Sequence, residues 1–302
     1  MNEKKSSAIR IKIKRDSMAY IMAAPYIILF FLFTVLPVLI SLCLSMTYFN
    51  VLEPPKFVFF ENFQRLFLKD DIFIIALKNT LILAAITGPL SYIICFLFAW
   101  CINEIRPSLR SVVTLCFYSP SISGSAYLIW TLLFSGDSYG IVNGFLIKTG
   151  MLNNPILFFQ DTRYMMPIVI AVVLWMSLGT SLLVFIAGFQ GIDKTLYEAG
   201  AVDGIHNRFM ELWYITLPSM KSQLMFSAVM SITASFGIGD VVTGLVGFPS
   251  TEYAVHTVMH HLIDYGSVRF EMGYASAIAT FLFAIMIFIN KAIQKMLSNI
   301  GS

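Results

Sequence analysis

Ser17 to Leu52 reads SMAYIMAAPYIILFFLFTVLPVLISLCLSMTYFNVL, 36 residues without one Asp, Glu, Lys or Arg. A helix rising 1.5 Å per residue needs about 20 apolar residues to cross the hydrocarbon of a bilayer, and ionisable side chains are rare at that depth because they are costly there. The stretch is long enough to cross. Five further charge-free gaps reach comparable length: Asn79 to Asn103 (25 residues), Ser111 to Gly136 (26), Tyr164 to Ile192 (29), Ser222 to Gly239 (18) and Met272 to Asn290 (19). No other gap exceeds 12 residues. The pattern predicts six transmembrane helices in an all-α, polytopic membrane protein.

Composition agrees. The chain has 302 residues, 58% hydrophobic and 12% charged, about half the charge that dresses a soluble domain. Disorder needs the reverse balance, low hydrophobicity with high charge. A β-barrel would alternate apolar and polar residues along each strand, whereas Tyr26 to Leu36 and Ala279 to Ile289 are apolar all round. Breakers interrupt several stretches: Pro25 and Pro37, Gly88 with Pro89, Pro120 with Gly124. Such breaks survive in membranes where neighbouring helices or a wet cavity satisfy the freed backbone groups, so they mark either packing kinks or a polar pathway.

With the N-terminus placed inside, the inner segments hold 13 Lys and Arg and the outer segments 7. The excess of basic residues on the cytoplasmic side predicts that both termini are cytoplasmic. Residues 1–16 form a basic N-terminal segment, and residues 17–302 form the six-helix domain. The first span is too long for a signal-peptide core and reads as an uncleaved anchor.

Several chemistries find no support. Cys43, Cys95, Cys101 and Cys116 all lie within the expected spans without a CxxC pair, which suits small apolar residues rather than disulfides or a zinc site. His256 and His260 have zincin spacing but lack the intervening Glu. With His261 and Asp264 they leave a metal site conceivable, though a solvated external helix face accounts for them, and no metal is expected. No stretch matches the phosphate-cradling P-loop, since Ile147 stands where its second Gly would be. No span carries a central acid or base of the kind that relays protons. Nothing points to an intramembrane enzyme or to nucleic acid.

The segment DKTLYEAGAVDGIHNRFMELWYITLP, Asp193 to Pro218, is different in character. Thr195 and Glu198 have capping-box spacing, Gly204 suits a left-handed stop, and Asn207 can cap a second short helix through Tyr214. This predicts two short helices about a fixed turn at the membrane surface. The segment resembles the EAA loop of ABC importer membrane subunits: Glu-Ala-Ala, three residues, Gly, nine residues, Ile-x-Leu-Pro. Glu198, Ala199, Asp203, Gly204, Ile215, Leu217 and Pro218 match, Gly200 replaces the second Ala, and ten residues rather than nine separate Gly204 from Ile215. GFQGIDKTLYEAGAVDG and GYASAIATFLF resemble the carbohydrate-uptake, maltose-type branch.

The resemblance implies a type I ABC importer permease in a bacterial inner membrane. Its implied partners are a second permease subunit in a heterodimer, two cytoplasmic ATPase subunits that bind ATP and Mg, and an external binding protein that delivers a sugar, expected to be an oligosaccharide. This chain would bind no cofactor. Glu198 would anchor the loop in an ATPase cleft, with Ala199, Gly200, Asp203, Gly204, Leu217 and Pro218 completing the coupling element. Uncharged polar side chains in the spans suit a neutral polyol. Asn79, Ser123, Tyr127, Ser231, Ser235 and, in the external segment, Tyr253 are the candidate pathway residues, with helix packing as the alternative for each. A permease for another small solute, or a self-sufficient secondary transporter, remains open at this point.

Overall fold

The computed structural model describes residues 17–298; the basic segment 1–16 lies outside the described residues. The first charge-free stretch folds as α1 (Ser17–Phe30), a π-turn (Phe31–Val35) and α2 (Leu36–Leu44). It ends well before Leu52, because strands β1 (Thr47–Tyr48) and β2 (Lys56–Phe57) pair antiparallel there. Next come α3 (Glu61–Leu68), α4 (Asp71–Asn103), α5 (Pro107–Ile122), α6 (Leu128–Leu133), α7 (Ile141–Lys148), α8 (Thr162–Met176) and α9 (Thr180–Gln190). The loop forms α10 (Lys194–Val202), α11 (Arg208–Glu211), a π-turn (Leu212–Thr216) and α12 (Leu217–Ser219). The chain closes with α13 (Lys221–Phe236), α14 (Gly239–Val246), α15 (Val258–Ile263) and α16 (Met272–Ser298).

Among the described residues three continuous stretches are long and apolar enough to cross a membrane: Tyr20–Leu44, Asp71–Asn103 and Met272–Met296. The count is five if α8 with α9, and α13 with α14, each form one span bent by 41°. The expected third span is not continuous. Pro120 removes a backbone donor near the end of α5, Ser123 is extended (φ −79, ψ 97), and the chain resumes as the six-residue α6. The architecture is all-α and membrane-embedded, with three to five clear spans where six were expected.

Helix α4 is the axis of the molecule. Asp70 starts it by accepting the Phe73 N–H at 3.0 Å, and its 33 residues extend about 50 Å. It contributes to three successive apolar clusters. Phe73 and Ala76 pack with Ile232, Val258 and Ile278 at one end. Leu83 packs with Met165, Val169 and Val242 in the middle. Cys95, Ala99 and Ile102 pack with Leu182, Phe185, Met220 and Leu224 at the end that carries the loop. In lipid these contacts hold through close packing, because the surrounding tails are equally apolar. No described residue of Tyr20–Leu44 is buried, and this segment meets the bundle where α2 packs on α16. Gly273 makes that junction possible: its amide donates to Phe49 O at 3.0 Å, and a side chain there would strike the Thr47 carbonyl.

Candidate functional site: a capped loop and a hydroxyl-lined cavity

The loop begins with a cap other than the expected one. Asp193, in extended backbone, accepts the Thr195 N–H at 3.0 Å, and that amide holds its carboxyl below the usual carboxylate range. The short Asp side chain starts the helix ahead of Thr195, so the Thr195/Glu198 capping box does not form. Glu198 stands exposed, and among the described residues no hydrogen bond or ion pair engages it.

Helix α10 ends as the glycine predicts. Gly204 has φ +89, Ile205 N–H reaches back to Gly200 O at 2.9 Å, and Gly204 N–H to Ala201 O at 3.4 Å. This pair of bonds is a Schellman stop, which needs the left-handed conformation that glycine adopts without strain. Gly200 is buried under Ile215, whose Cδ1 would lie 2.6 Å from an added Cβ. The departure from the second Ala thus lets the two halves of the loop close on each other.

Asn207 caps α11 by accepting the Phe209 N–H at 3.1 Å. The second helix continues beyond Tyr214, through the π-turn, to Ser219, with Pro218 in the first turn of α12. A π-turn houses one residue more than an α-turn. The interval from Gly204 to Ile215 exceeds the family spacing by that same count.

Contacts within the loop hold its two halves together, and Arg208 ties it to the bundle. Tyr197 Oη and Thr216 Oγ1 lie 2.9 Å apart, Ile215 is buried, and Arg208 bridges Glu211 (2.9 Å) and Glu104 at the end of α4 (3.1 Å). The Glu211 hydrogen bond and the Glu104 charge raise the Arg208 guanidinium further above its ordinary range.

A second feature lies inside the bundle. A cavity of about 200 Å³ between α4, α8 and α13 is lined by Thr87, Ser91, Ser177, Ser231 and Ser235 among apolar side chains. The hydroxyls of Thr87, Ser91, Ser177 and Ser235 donate to carbonyls of their own helices at 2.7–3.0 Å. Ser231 Oγ lies 3.2 Å from Ser181 Oγ. With protons committed along the helices, these oxygens present lone pairs. The lining holds no Lys, Arg, Asp or Glu, so the cavity can accept hydrogen bonds from a neutral polyol and has no fixed charge to compensate an ion.

The structure brings Ser231 and Ser235 together here and places the other candidates elsewhere. Asn79 donates to Tyr253 O (2.9 Å) and His256 O (3.0 Å), clasping α4 to the connection before α15. Tyr253 is half-buried there with φ +55. Ser123 is exposed at the break after α5, and Tyr127 packs against Gly244. Ser177 and Ser181 were not singled out from the sequence; the signal was the Ser177-Leu178-Gly179 interruption of an otherwise apolar gap, where α8 bends into α9.

The histidines correct the expected solvated face. His256, His260 and His261 are 2–3% exposed, because α15 packs against α4 and α16. His260 bonds Thr257 (2.7 Å) and Thr243 (3.0 Å), and His261 Nε2 lies 2.9 Å from Asp70 Oδ2. Burial would raise the Asp70 carboxyl, but hydrogen bonds from His261, Tyr274 and the Phe73 amide outweigh it and hold the group well below its usual range. Burial pushes His256 down to about 3 and His260 to about 4, so both rings are neutral at pH 7. Among the described residues no group of His, Cys, Asp and Glu is arranged to hold a metal ion.

Residues 103–299 match the family of the binding-protein-dependent transport system inner membrane component. The chain belongs to this family. It is the permease of an ABC importer, and the ATPase activity resides in a separate subunit. Among curated relatives, the Probable ABC transporter permease protein YesP of Bacillus subtilis (strain 168) is 30% identical, over 94% of this chain and 90% of that protein. The arabinooligosaccharides transport system permease protein AraP of the same organism is 26% identical, over 90% of this chain and 85% of that protein. Among solved structures, a bacterial ABC transporter involved in the import of the acidic polysaccharide alginate superposes with TM-score 0.79 at 26% identity, covering 98% of this chain and 100% of that one. Family membership removes the self-sufficient secondary transporter.

Proposed function

We propose that this permease moves a neutral oligosaccharide, delivered by an external binding protein, through the bundle into the cytoplasm. The observation that carries the reading is the cavity between α4, α8 and α13, which offers hydroxyl acceptors and no fixed charge. The relatives' names support sugars as a class: AraP is named for arabinooligosaccharides, which are neutral, and YteP for polygalacturonan/rhamnogalacturonan, which carries uronate carboxylates, so neutrality rests on the uncharged lining alone. A relative named for sn-glycerol-3-phosphate makes a phosphate ester the second reading; the absence of a lining cation disfavours it.

Coupling follows from the loop. Its Schellman stop, the Ile215 contact and the Arg208 bridges make Asp193–Pro218 a rigid body, and Glu198 projects from it without an internal partner. A cleft on an ATPase subunit would take Glu198 as a polar anchor, with Ala199 and Gly200 beneath it, Asp203 and Gly204 at the turn, and Leu217 and Pro218 at its return to the bundle. Closure of two ATP- and Mg-bound ATPase subunits would then shift the loop and bias the bundle between inward-open and outward-open states, as would the binding protein from outside. In this arrangement the loop end is cytoplasmic, both termini are cytoplasmic, Pro107–Leu133 supplies the sixth crossing, and a second permease subunit completes the pathway.

The test is reconstitution with the ATPase, the second permease and the binding protein, reading ATPase stimulation across a panel of loaded ligands. Stimulation by a neutral oligosaccharide is expected. Stimulation only by a phosphate ester, a uronate oligomer or a peptide would overturn the substrate class.

A further inference from the structure

At the loop end of the bundle, beside the coupling element, the structure leaves an opening of about 550 Å³ between α4, α5, α9 and α11. Its charged lining is four cations, Arg106, Arg110, Lys194 and Arg208, and two acids, Glu104 and Glu211. Arg208 bridges both acids. Among the described residues no carboxylate pairs with Arg106, Arg110 or Lys194. Arg110 is held in place, its Nη2 donating to Asn103 O at 2.6 Å and Ile105 O at 3.3 Å, while its enclosed Nε meets no acceptor. The opening therefore carries a surplus of two positive charges and a fixed guanidinium with an unused donor.

Its other wall is apolar, made by Trp100, Phe189 and Leu212. On the outer side of α5, roughly 100–160° round the helix from Arg110, Leu109, Val112 and Leu115 are each more than half exposed. Basic groups below an apolar helix face, with a tryptophan at the boundary, match the headgroup level of a membrane.

We propose that this opening binds the phosphate-bearing headgroup of an anionic phospholipid. The phosphate meets Arg106, Arg110 and Lys194 beneath the N-terminal end of α5, and the acyl chains pass round that end to lie along Leu109, Val112 and Leu115 on its outer side. The inference rests on the loop end being the cytoplasmic end. Because Arg208 belongs both to this opening and to the coupling loop, a lipid seated here touches the element through which ATP hydrolysis would act. A free phosphate would use the same cations but would gain nothing from the α5 face.

The test compares the full-length permease with the double variant Arg106→Gln/Lys194→Gln, both positions being exposed and free of internal ion pairs. Each protein is placed in nanodiscs mixing phosphatidylglycerol with phosphatidylcholine, and the lipid retained after detergent exchange is counted by native mass spectrometry. Wild type is expected to retain phosphatidylglycerol selectively. The variant should hold it about 30-fold more weakly, from roughly one charge-contact increment per removed cation. Lys148→Gln, which removes a cation that does not line the opening, should match wild type.

Equal retention in wild type and the double variant would overturn the proposal. So would displacement of the lipid by millimolar inorganic phosphate, which would assign the opening to a free anion. Loss of ATPase-subunit assembly with lipid retention unchanged would assign it to a protein partner and also overturn it. The readout is lipid retention in the permease, so it succeeds or fails separately from the sugar and coupling assignments.

Discussion

Two acids five residues apart in the loop should behave in opposite ways when truncated. Asp193 accepts the Thr195 amide and starts α10; Glu198 has no bond within the described chain. Asp193→Ala removes an N-cap and should lower Tm by about 2–4 °C, with the partner surface retained. Glu198→Ala removes nothing the fold uses, so Tm should move by less than about 1 °C, as for a surface site without special contacts. At the interface the ranking reverses. Truncating one partner of a desolvated, hydrogen-bonded charge contact costs about 2 kcal/mol or more, roughly 30-fold in affinity. Glu198→Ala should therefore weaken ATPase-subunit binding by that factor, and Glu198→Lys should uncouple hydrolysis from uptake while membrane insertion stays intact. The assay pairs thermal unfolding of the purified permease with titration of the ATPase subunit and ligand-stimulated hydrolysis. Wild-type coupling in Glu198→Lys, or a Tm loss in Glu198→Ala equal to that of Asp193→Ala, would refute the assignment and return Glu198 to a purely local role.

Gly204→Val places a β-branched residue at φ +89 and should destabilise the loop by about 1–2 kcal/mol, read as a lower Tm together with weaker ATPase-subunit binding. Asn79→Leu leaves the Tyr253 and His256 carbonyls without the donor they share; a loss of about 2–4 kcal/mol is expected in denaturant unfolding, and an unchanged midpoint would deny the clasp. His256 and His260 take up protons near pH 6.5 when unfolded but only near pH 3 and 4 in the fold. The unfolded chain thus holds more protons between those limits, so stability should rise with pH from about 4 to 6.5 and level off above, by about 2 kcal/mol per ring between pH 5 and 7. His256→Phe should flatten its share of that slope in Tm measurements across pH 5–7, and an undiminished slope would show that the ring is not buried and neutral.

The membrane character of the fold was legible because charge cannot be hidden in hydrocarbon, so uninterrupted runs such as Asn79 to Asn103 announced themselves. The turn at Gly204 and the cap at Asn207 were legible for a related reason: each is a local backbone requirement met by one residue type. The split of the third stretch was less so, since Pro120 and Gly124 tell of a break without telling how much helix follows it. The cap at Asp193 was missed because the capping-box spacing of Thr195 and Glu198 satisfied the same rule two residues later. The histidines were misjudged because their burial depends on α15 packing against α4, some 180 residues away in the chain, which no local spacing encodes. Ser231 and Ser235 could be paired from helical periodicity, but their meeting with Ser91 and Ser177 is a tertiary fact.

Helix α4 joins Asp70, bound by His261 and Tyr274, to Glu104, bound by Arg208, and Pro89 interrupts its hydrogen bonding between them. It is a beam gripped at both ends and weakened near its centre. From Pro89 to Asn103 the lever arm is about 21 Å, so a tilt of about 10° there would carry the Glu104 grip roughly 4 Å sideways. The residues lining the hydroxyl cavity, Thr87 and Ser91, flank that pivot. A movement large at the ends would be small where they stand, turning their oxygens relative to Ser231 and Ser235 while barely shifting them.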